Sequence, residues 1–295
     1  MDEHELMAEQ FEQNRTRLRG VAYRMLGSLS DADDALQETW LRVDRADTES
    51  IDNPSGWLTT VTARVCLNMI RSRQTRREEP LGWQVPDPVV TREDAVGGEQ
   101  QALLADSVSL ALLVVFQTLG PAERLAFILH DMFAVPFDEI APMMGKSPAA
   151  ARQLASRARR TVQGAQARPD ADLAAQRHVV DAFFAAARQG RFDDLVAVLH
   201  PDVVLRSDGG TEDSFASAVV RGAKSVAARA ITFSQPGATL LPVLVNGAAG
   251  VVVIVDAKPY AVMGFTVRGG RVIAIDVLAD RQRLGDLDTL ANLDV

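Results

Sequence analysis

Residues 137–160 read FDEIAPMMGKSPAAARQLASRARR and form the clearest structural pattern of this chain. The pattern predicts a short helix that ends at Gly145 and a second helix that begins after a tight turn. Ser147 is placed to cap that second helix, and Pro148 takes its first position, where a missing N–H costs nothing. This is the spacing of a helix-turn-helix. A solvated helical hairpin has the same pattern, so the class of DNA-binding protein stays open at this point.

The second helix of the pattern has a basic outer face. An inward stripe is predicted at Ala151, Leu154 and Ala158, and no acidic residue lies between Lys146 and Arg168. Arginine and glutamine pair with guanine and adenine edges, and the other basic side chains neutralise phosphates. The candidate DNA-binding residues are Lys146, Ser147, Arg152, Gln153, Ser156, Arg157 and Arg160.

Composition narrows the class of protein. The length of 295 residues and a hydrophobic content of 47% predict two or three folded units. The net charge of −8 argues against a protein that coats nucleic acid indiscriminately. Cys66 is the only cysteine, and the four histidines lack zinc spacing, so neither a disulfide nor a metal or other cofactor is expected. The acidic N-terminus and the absence of a long apolar run favour a cytoplasmic protein without a membrane segment.

Three helices are predicted before the helix-turn-helix. Apolar spacing indicates helices over 11–26 and 31–43, the second with Ser30 as N-cap, and a third helix begins at Pro54. This third helix ends in a second basic cluster, since residues 64–77 hold five arginines and no acid. Prolines and glycines then break all periodicity over 79–98, which predicts an extended linker.

The rest of the chain divides into two further units. Helical spacing continues over 103–119, 121–133, 137–144 and 148–164. Beyond residue 172, two helices (to Gly190, and Phe192–Leu199) precede strand-like runs, which predicts an α+β domain with a curved antiparallel sheet. The predicted strands cover 203–206, 240–246, 249–256, 260–268 and 271–278. The fold class is therefore two all-α domains followed by one α+β domain.

The helices before the linker add a family resemblance. The segments DADDALQETWLRV (31–43) and NPSGWLTTVTARVCLNMIRSR (53–73), followed by the linker and the helix-turn-helix, resemble the extracytoplasmic-function sigma factors over about residues 8–165. The resemblance implies a region 2-like domain at 1–78, a linker at 79–100 and a region 4-like domain at 101–168. It also implies two partners, promoter DNA and the RNA polymerase core, and assigns minus-35 recognition to the helix-turn-helix.

The resemblance further implies two sets of contact residues. The acidic helix would dock on a coiled coil of the polymerase large subunit through Asp31, Asp33, Asp34, Glu38 and Trp40. The third helix would open and bind the minus-10 element through Trp57, Thr59, Thr60, Arg64, Asn68, Arg71 and Arg73. Opening DNA needs positive charge and rings or pockets for unstacked bases. The alternatives are a solvated acidic face and simple core packing of Trp57.

Residues 172–295 resemble the SnoaL-like branch of the nuclear-transport-factor-2 fold, and the whole chain resembles the SigJ-like subgroup, in which this domain tunes the sigma unit in cis. The subgroup's motifs are altered here: the linker reads GWQVPDP (82–88), the second motif SDGGT (207–211), and ADRQRL (279–284) replaces the third. The residues implied in regulation are Trp83, Pro86, Asp87, Pro88, Asp208, Gly209 and Gly210.

Two other functions compete with a sigma factor. One is a one-component regulator that binds DNA without polymerase and holds an unknown small ligand in its C-terminal domain. The other is an enzyme, since the same fold hosts catalysts that use a carboxylate as general base. Its candidate residues are Asp208, Asp256 and Asp276 with Tyr260 or His200, all of which also suit turns and strand ends. The favoured interpretation assigns no catalytic residue.

Overall fold

The computed structural model describes residues 3–46, 51–76, 84–93, 108–165, 168–210, 217–234, 237–287 and 290. Contacts between Cα atoms divide the chain into two compact units. The first, the helical unit, contains Met1–Glu79 and Leu113–Gln166, and the second, the sheet unit, contains Pro80–Leu112 and Ala167–Val295. Both units therefore draw on two separate parts of the chain, and the linker belongs with the C-terminal domain.

The helical unit begins with the three predicted helices. They are α1 (Glu3–Leu26), α2 (Leu29–Val43) and α3 (Pro54–Arg76). The predicted N-cap of α2 is wrong, because Ser28 rather than Ser30 accepts the hydrogen bond from the Asp31 backbone N–H, at 3.3 Å. Pro54 begins α3 as expected.

Five further helical segments complete the series up to the helix-turn-helix. They are α4 (Leu110–Thr118), α5 (Pro121–Phe127), a π-helical turn (Ile128–Met132), α6 (Phe137–Met143) and α7 (Pro148–Gly164). The single helix predicted over 121–133 therefore changes to π geometry in its second half. The start predicted for α4, at residues 103–107, lies outside the described residues.

The core of the helical unit joins the two parts of the chain that form it. Its largest fully buried side chains come from both parts and include Tyr23, Leu58, Leu125 and Ile140. Cys66 lies in this core, and burial raises the pKa of its thiol from 9.0 to about 12. Cys66 is therefore a neutral packing residue, as a cysteine on the apolar side of a helix suggests.

In the sheet unit, helices pack on a seven-stranded sheet, in which neighbouring strands follow the order β1-β4-β5-β6-β7-β2-β3. The strands are β1 (Val90–Thr91), β2 (Leu199–Asp208), β3 (Ala218–Arg221), β4 (Thr239–Val245), β5 (Ala248–Val255), β6 (Lys258–Arg268) and β7 (Arg271–Leu278). The helices are α8 (Leu173–Arg188), α9 (Phe192–Val198), α10 (Ala223–Thr232) and α11 (Arg281–Gly285). An α+β domain is therefore present.

The purely antiparallel sheet is a wrong prediction, because β2 and β7 pair in parallel. Strands joined by tight turns, as β4 to β7 are, must run antiparallel, whereas β2 and β7 are distant in sequence and free of that constraint. The sequence also missed β1, β3, α10 and α11. The two-residue β1 lies in the proline-rich linker, where its pairing with β4 depends entirely on tertiary contacts.

Candidate nucleic-acid interface

The helix-turn-helix is formed by α6 and α7. Gly145 takes a positive φ of 63°, which a side chain would strain, and so reverses the chain after α6. The Ser147 hydroxyl then accepts a hydrogen bond from the Ala150 backbone N–H, at 3.3 Å, and Pro148 begins α7. The predicted cap and turn are confirmed.

Helix α7 buries one face and exposes the other. Its buried stripe is Ala151, Ala155, Ala158 and Val162, while Leu154, predicted to point inward, is only half-buried. Six of the seven predicted DNA-binding residues are exposed, and Ser156 is half-buried. No acidic residue interrupts this face, so it presents a positive surface of the width of one helix.

Three aromatic and ionic contacts on this surface were not found from the sequence. The Arg152 guanidinium lies over the Phe137 ring, 5.3 Å from its centroid, and the Phe137 ring also stacks with the His130 ring at 3.9 Å between centroids. Arg159 is held differently, because its Nε donates to Asp131 at 2.8 Å. Of these two arginines, only Arg152 is both held by a ring and exposed without an acidic partner among the described residues.

Helix α3 presents most of its predicted minus-10 residues to solvent. Arg64, Asn68, Arg71 and Arg73 are exposed, and Trp57 and Thr60 are half-buried. Thr59 is a correction, since it is only 1% exposed and its hydroxyl donates to the Ser55 carbonyl at 2.8 Å. Thr59 was assigned from the family resemblance, which does not specify which side chains of the helix are buried.

The acidic residues of α2 are largely paired. Asp33 receives two hydrogen bonds from Arg19, at 2.7 and 2.8 Å, and Asp31 receives one from Arg73 at 2.5 Å. Glu38 pairs with Arg42 on the same helix at 2.9 Å. The Asp33 and Glu38 side chains are 48% and 47% exposed, so their ion pairs contribute little to stability and both carboxylates remain accessible to a charged partner, whereas Asp31 is only 18% exposed.

The exposed face of α2 includes an apolar residue that the sequence analysis missed. Asp34, Gln37, Glu38 and Leu41 follow one another at helical spacing, and Leu41 is 47% exposed. Trp40 is turned away from this face and packs on Phe11, with ring centroids 5.2 Å apart. The sequence signal was its spacing, because Leu41 follows Asp34 by seven positions and Glu38 by three and so lies on the same helical face as both acids.

Two buried arginines lie where the two parts of the helical unit meet. Arg124 of α5 donates to the Met25 carbonyl at 2.8 Å and to the Gln117 carbonyl at 3.0 Å, and burial lowers its pKa to about 10. Arg24 of α1 lies over the Phe133 ring at 5.3 Å, and burial also lowers its pKa. The α1–α3 region and the helix-turn-helix region thus share buried polar contacts.

Comparison with known proteins identifies both regions. The sigma-70 region 2 family matches residues 10–76, and the sigma-70 region 4 family matches residues 109–162. The extracytoplasmic-function sigma factor SigJ of Mycobacterium tuberculosis is 41% identical over 281 residues, which cover 90% of this chain and 89% of SigJ. This chain is an extracytoplasmic-function sigma factor. The resemblance seen in the sequence is confirmed.

Two further comparisons cover nearly the whole sigma factor. A probable sigma factor SigI of M. tuberculosis is 34% identical, over 97% of this chain and 98% of SigI. The crystal structure of M. tuberculosis SigJ superposes with a TM-score of 0.74 at 35% identity, covering 96% of this chain and 99% of SigJ. The polymerase-dependent interpretation is therefore right, and the chain, with its C-terminal domain, shares the fold of SigJ.

In the sheet unit of this sigma factor, Arg283 ties the linker to the C-terminal domain. Its Nη1 donates to Asp208 at 2.7 Å, its Nε to Asp87 at 3.0 Å, and its Nη2 to the Val85 carbonyl at 2.6 Å. The Val85 N–H donates in turn to Asp208 at 3.0 Å. We call these four residues the linker clamp. Arg283 was visible in the sequence only as a departure from a motif.

The other residues implied in regulation lie around the clamp. Pro86 and Pro88 are buried beside Asp87, and Trp83 lies outside the described residues. Gly210 has a φ of 72°, and a Cβ there would collide with Asp280, whose carboxylate caps α11 and so positions Arg283. Gly209 donates its N–H to Ser217 at 3.0 Å.

A second contact holds the linker at two points. The Asn246 side chain accepts from the Val89 N–H at 3.1 Å and donates to the Val108 carbonyl at 3.3 Å. Asn246 has a φ of 50°, which asparagine tolerates, and it forms the turn between β4 and β5. One amide group thus brings together Val89 of the linker and Val108, which follows the linker, although they are 19 positions apart.

The candidate catalytic residues do not meet in one place. Asp276 is 1% exposed and receives two hydrogen bonds from Arg206, at 2.6 and 3.1 Å, while Asp208 belongs to the linker clamp. Asp256 is exposed in a turn, and the His200 ring accepts from the Asp202 N–H at 3.1 Å. Of the five, only Tyr260 lines the interior cavity of the domain.

Neither a metal-binding cluster nor a membrane-spanning helix is present among the described residues. Within the described ranges, no group of three or more potential metal ligands lies together. In the same part of the chain, no helix has the length and hydrophobicity needed to cross a bilayer.

Proposed function

We propose that this sigma factor divides promoter recognition between two exposed helical faces and that its C-terminal domain sets their spacing through the linker. The α7 residues contact the minus-35 element, and the α3 residues, without Thr59, bind the opened minus-10 element. Arg152 and Gln153 suit base edges, and Arg157 and Arg160 suit phosphates. The division follows the predicted boundaries 1–78, 79–100, 101–168 and 172–295.

The polymerase core docks on the exposed face of α2. Asp34, Gln37, Glu38 and Leu41 offer two acids next to one apolar contact. Apolar side chains that become fully covered contribute most of the affinity of an interface, while surrounding charges guide association. Since the polymerase acts on chromosomal DNA, the chain works in the cytoplasm.

Binding a promoter requires the helical unit to open. The centres of the two promoter elements are about 25 base pairs apart, or about 85 Å at roughly 3.4 Å per base pair. A compact unit of about 130 residues has a radius of gyration of about 14 Å. Both DNA-binding faces belong to one such unit here, so they separate when polymerase and promoter bind.

Control of the linker is the regulatory step. The linker connects the two promoter-reading segments, and Asn246 binds both Val89 within the linker and Val108 just after it, 19 positions apart. A chain extends by at most about 3.3–3.6 Å per residue, so holding these two residues together removes up to about 65 Å of reach. The linker clamp fixes the segment just before Val89. This attachment of the linker is the observation that carries the proposal of regulation in cis.

The C-terminal domain acts by binding the linker rather than by catalysing a reaction. General-base catalysis needs a carboxylate or an imidazole that reaches the substrate. The candidates Asp208 and Asp276 are instead engaged by Arg283 and Arg206, and Tyr260 lines the cavity without a described acid or histidine beside it. These contacts support a binding role.

Reconstituted transcription tests the proposal. The purified chain is added to core RNA polymerase on templates that carry candidate promoters, and transcripts are mapped. We expect initiation at defined start sites, and truncation after Arg168 is expected to change the yield or the preferred promoter spacing. Unselective initiation would refute promoter recognition. Unchanged output from the truncated chain would refute regulation in cis and leave promoter recognition intact.

A further inference from the structure

The C-terminal domain contains an interior cavity that none of the functions above uses. Its volume is about 140 Å³, and its walls are mostly apolar, from Phe183, Phe184, Leu240, Val253, Met263 and Val277. An engineered protein cavity of about 150 Å³ takes up benzene. The cavity therefore has room for one six-membered ring.

The polar lining of the cavity is cationic or neutral. Arg188, Ser207, Arg229, Ser234 and Tyr260 contribute polar side chains, and no acidic residue or histidine is among the described lining residues. Arg188 lies at the exposed rim, where it donates to the Ala238 carbonyl at 2.7 Å. The charge that the cavity offers to a ligand is therefore positive.

Among the described residues, Arg229 contacts an aromatic ring and a hydroxyl but no carboxylate. Its guanidinium lies over the Phe233 ring, 4.4 Å from the centroid, and its Nη2 is 3.5 Å from the Ser207 hydroxyl, a long contact. No carboxylate among the described residues pairs with it. A guanidinium stacked on a ring keeps its N–H edges available for a bidentate anion.

We propose that this cavity binds a small ring-containing carboxylic acid. The ring fills the apolar part, and the carboxylate is bound by Arg229, with the Ser207 and Tyr260 hydroxyls as further donors. Burial of the ring supplies the hydrophobic contribution, and apolar walls strengthen the ion pair because they exclude water. A cationic ligand would be repelled by two arginines, and a neutral one would leave the charge of Arg229 unmatched.

A set of three matched compounds tests the proposal on the full chain. Phenylacetate, 2-phenylethanol and 2-phenylethylamine share a ring and a two-carbon side chain but are anionic, neutral and cationic. Binding is measured by titration calorimetry. We expect phenylacetate to bind with a dissociation constant of about 0.1–1 mM, a value typical of a ligand of this size. The alcohol is expected to bind at least roughly tenfold more weakly, since a charge-assisted hydrogen bond is lost.

Variants locate the binding site. Arg229→Met is expected to reduce phenylacetate affinity at least roughly tenfold and to abolish the preference over the alcohol. Arg268→Met removes an exposed arginine that does not line the cavity and should leave binding unchanged. Ala230→Leu, on the same helix as Arg229, fills part of the cavity while keeping helix propensity, and should weaken all ring ligands.

Three results would overturn the proposal. They are equal affinity for the acid and the alcohol, unchanged affinity in Arg229→Met, and no saturable binding of phenylacetate up to about 10 mM, the weakest affinity a ring of this size should give. Thermal unfolding of each variant, compared with the unchanged chain, establishes that lost binding reflects the site and not the fold.

Discussion

Arg283 and Asp87 are joined at 3.0 Å although 196 positions separate them in the chain. Both are more than three-quarters buried, and Arg283 also binds Asp208, so the linker carboxylate and the domain carboxylate share one guanidinium. Removing one partner from a buried ionic contact is costly because the other charge stays buried. The linker is therefore held firmly by a contact that one substitution opens.

Opening this contact should change how the sigma factor tolerates promoter spacing. Transcript yield is measured on templates whose minus-35 and minus-10 elements are separated by different lengths. The unchanged chain is expected to prefer one spacing, and Arg283→Met to broaden the preference because the linker is released. Asn246→Gly should act in the same direction, since glycine keeps the turn with φ of 50° but lacks the side-chain amide. Arg281→Met, an exposed change on the same helix, should have no effect. Identical spacing profiles in all variants would contradict the prediction.

Substitutions in α7 should separate base recognition from phosphate binding. Gln153→Ala is expected to relax selectivity at one minus-35 position by about 1–3 kcal/mol. Arg157→Ala should weaken binding to all promoters alike and lower the salt dependence by about one phosphate contact. The measurement is transcription from competing templates at several salt concentrations. Arg159→Ala is the matched control, because Arg159 is held by Asp131. An effect of Arg159→Ala equal to that of Arg157→Ala would argue against this assignment.

The exposed leucine of α2 should be important for polymerase binding. Leu41→Ala is expected to weaken binding to the core roughly tenfold, as loss of an apolar contact at the centre of an interface does. Asp34→Lys should slow association, most strongly at low salt. Anisotropy of the labelled full chain reports both effects. Asp181→Lys changes the same charge on exposed α8 and should leave binding unaltered, so a matching loss in this control would point to a general charge effect.

Asp276 should be essential for stability and not for catalysis. Asp276→Ala removes the two hydrogen bonds that this carboxylate accepts from the largely buried Arg206, and breaking a buried ion pair costs about 3–5 kcal/mol. Hydrogen exchange is expected to accelerate in β2 and β7, the two strands that this ion pair connects. Asp256→Asn in an exposed turn should change stability by less than about 0.5 kcal/mol. Unchanged exchange in β2 and β7 would show that the pair is dispensable.

The buried thiol of Cys66 gives the stability a defined pH dependence. Its pKa is about 12 in the folded chain, against 9.0 for an ordinary thiol, so the unfolded chain loses this proton first as pH rises. The stabilising effect is complete below about pH 9 and is lost toward pH 12, by up to about 1.4 kcal/mol per pH unit. Unfolding of the unchanged chain and of Cys66→Ala is compared across this range. The difference between them should be constant below about pH 9 and then shrink; a constant difference throughout would contradict it.

The sequence by itself determined the local structure and the family. The Ser147 cap, the turn at Gly145 and the alternation of α7 depend on neighbours a few residues apart, so periodicity and capping rules predicted them. Most of the exposed basic residues followed for the same reason. Thr59 was assigned from the family resemblance, which does not distinguish buried from exposed side chains, and Ser30 was taken as the cap although Ser28, two positions earlier, is the same residue type.

The tertiary structure alone decided how distant parts of the chain meet. Arg283 with Asp87, Asn246 with Val89 and Val108, and the parallel pairing of β2 with β7 join residues that no local rule connects. The same holds for the cavity, whose apolar walls and single stacked Arg229 come from several helices and strands. Hydrogen bonds and ion pairs form wherever folding places complementary groups, and their energies do not depend on how far apart the two residues are in the sequence. The exposed basic faces of α3 and α7 were therefore open to prediction from the sequence, whereas the contacts proposed to regulate the sigma factor were not.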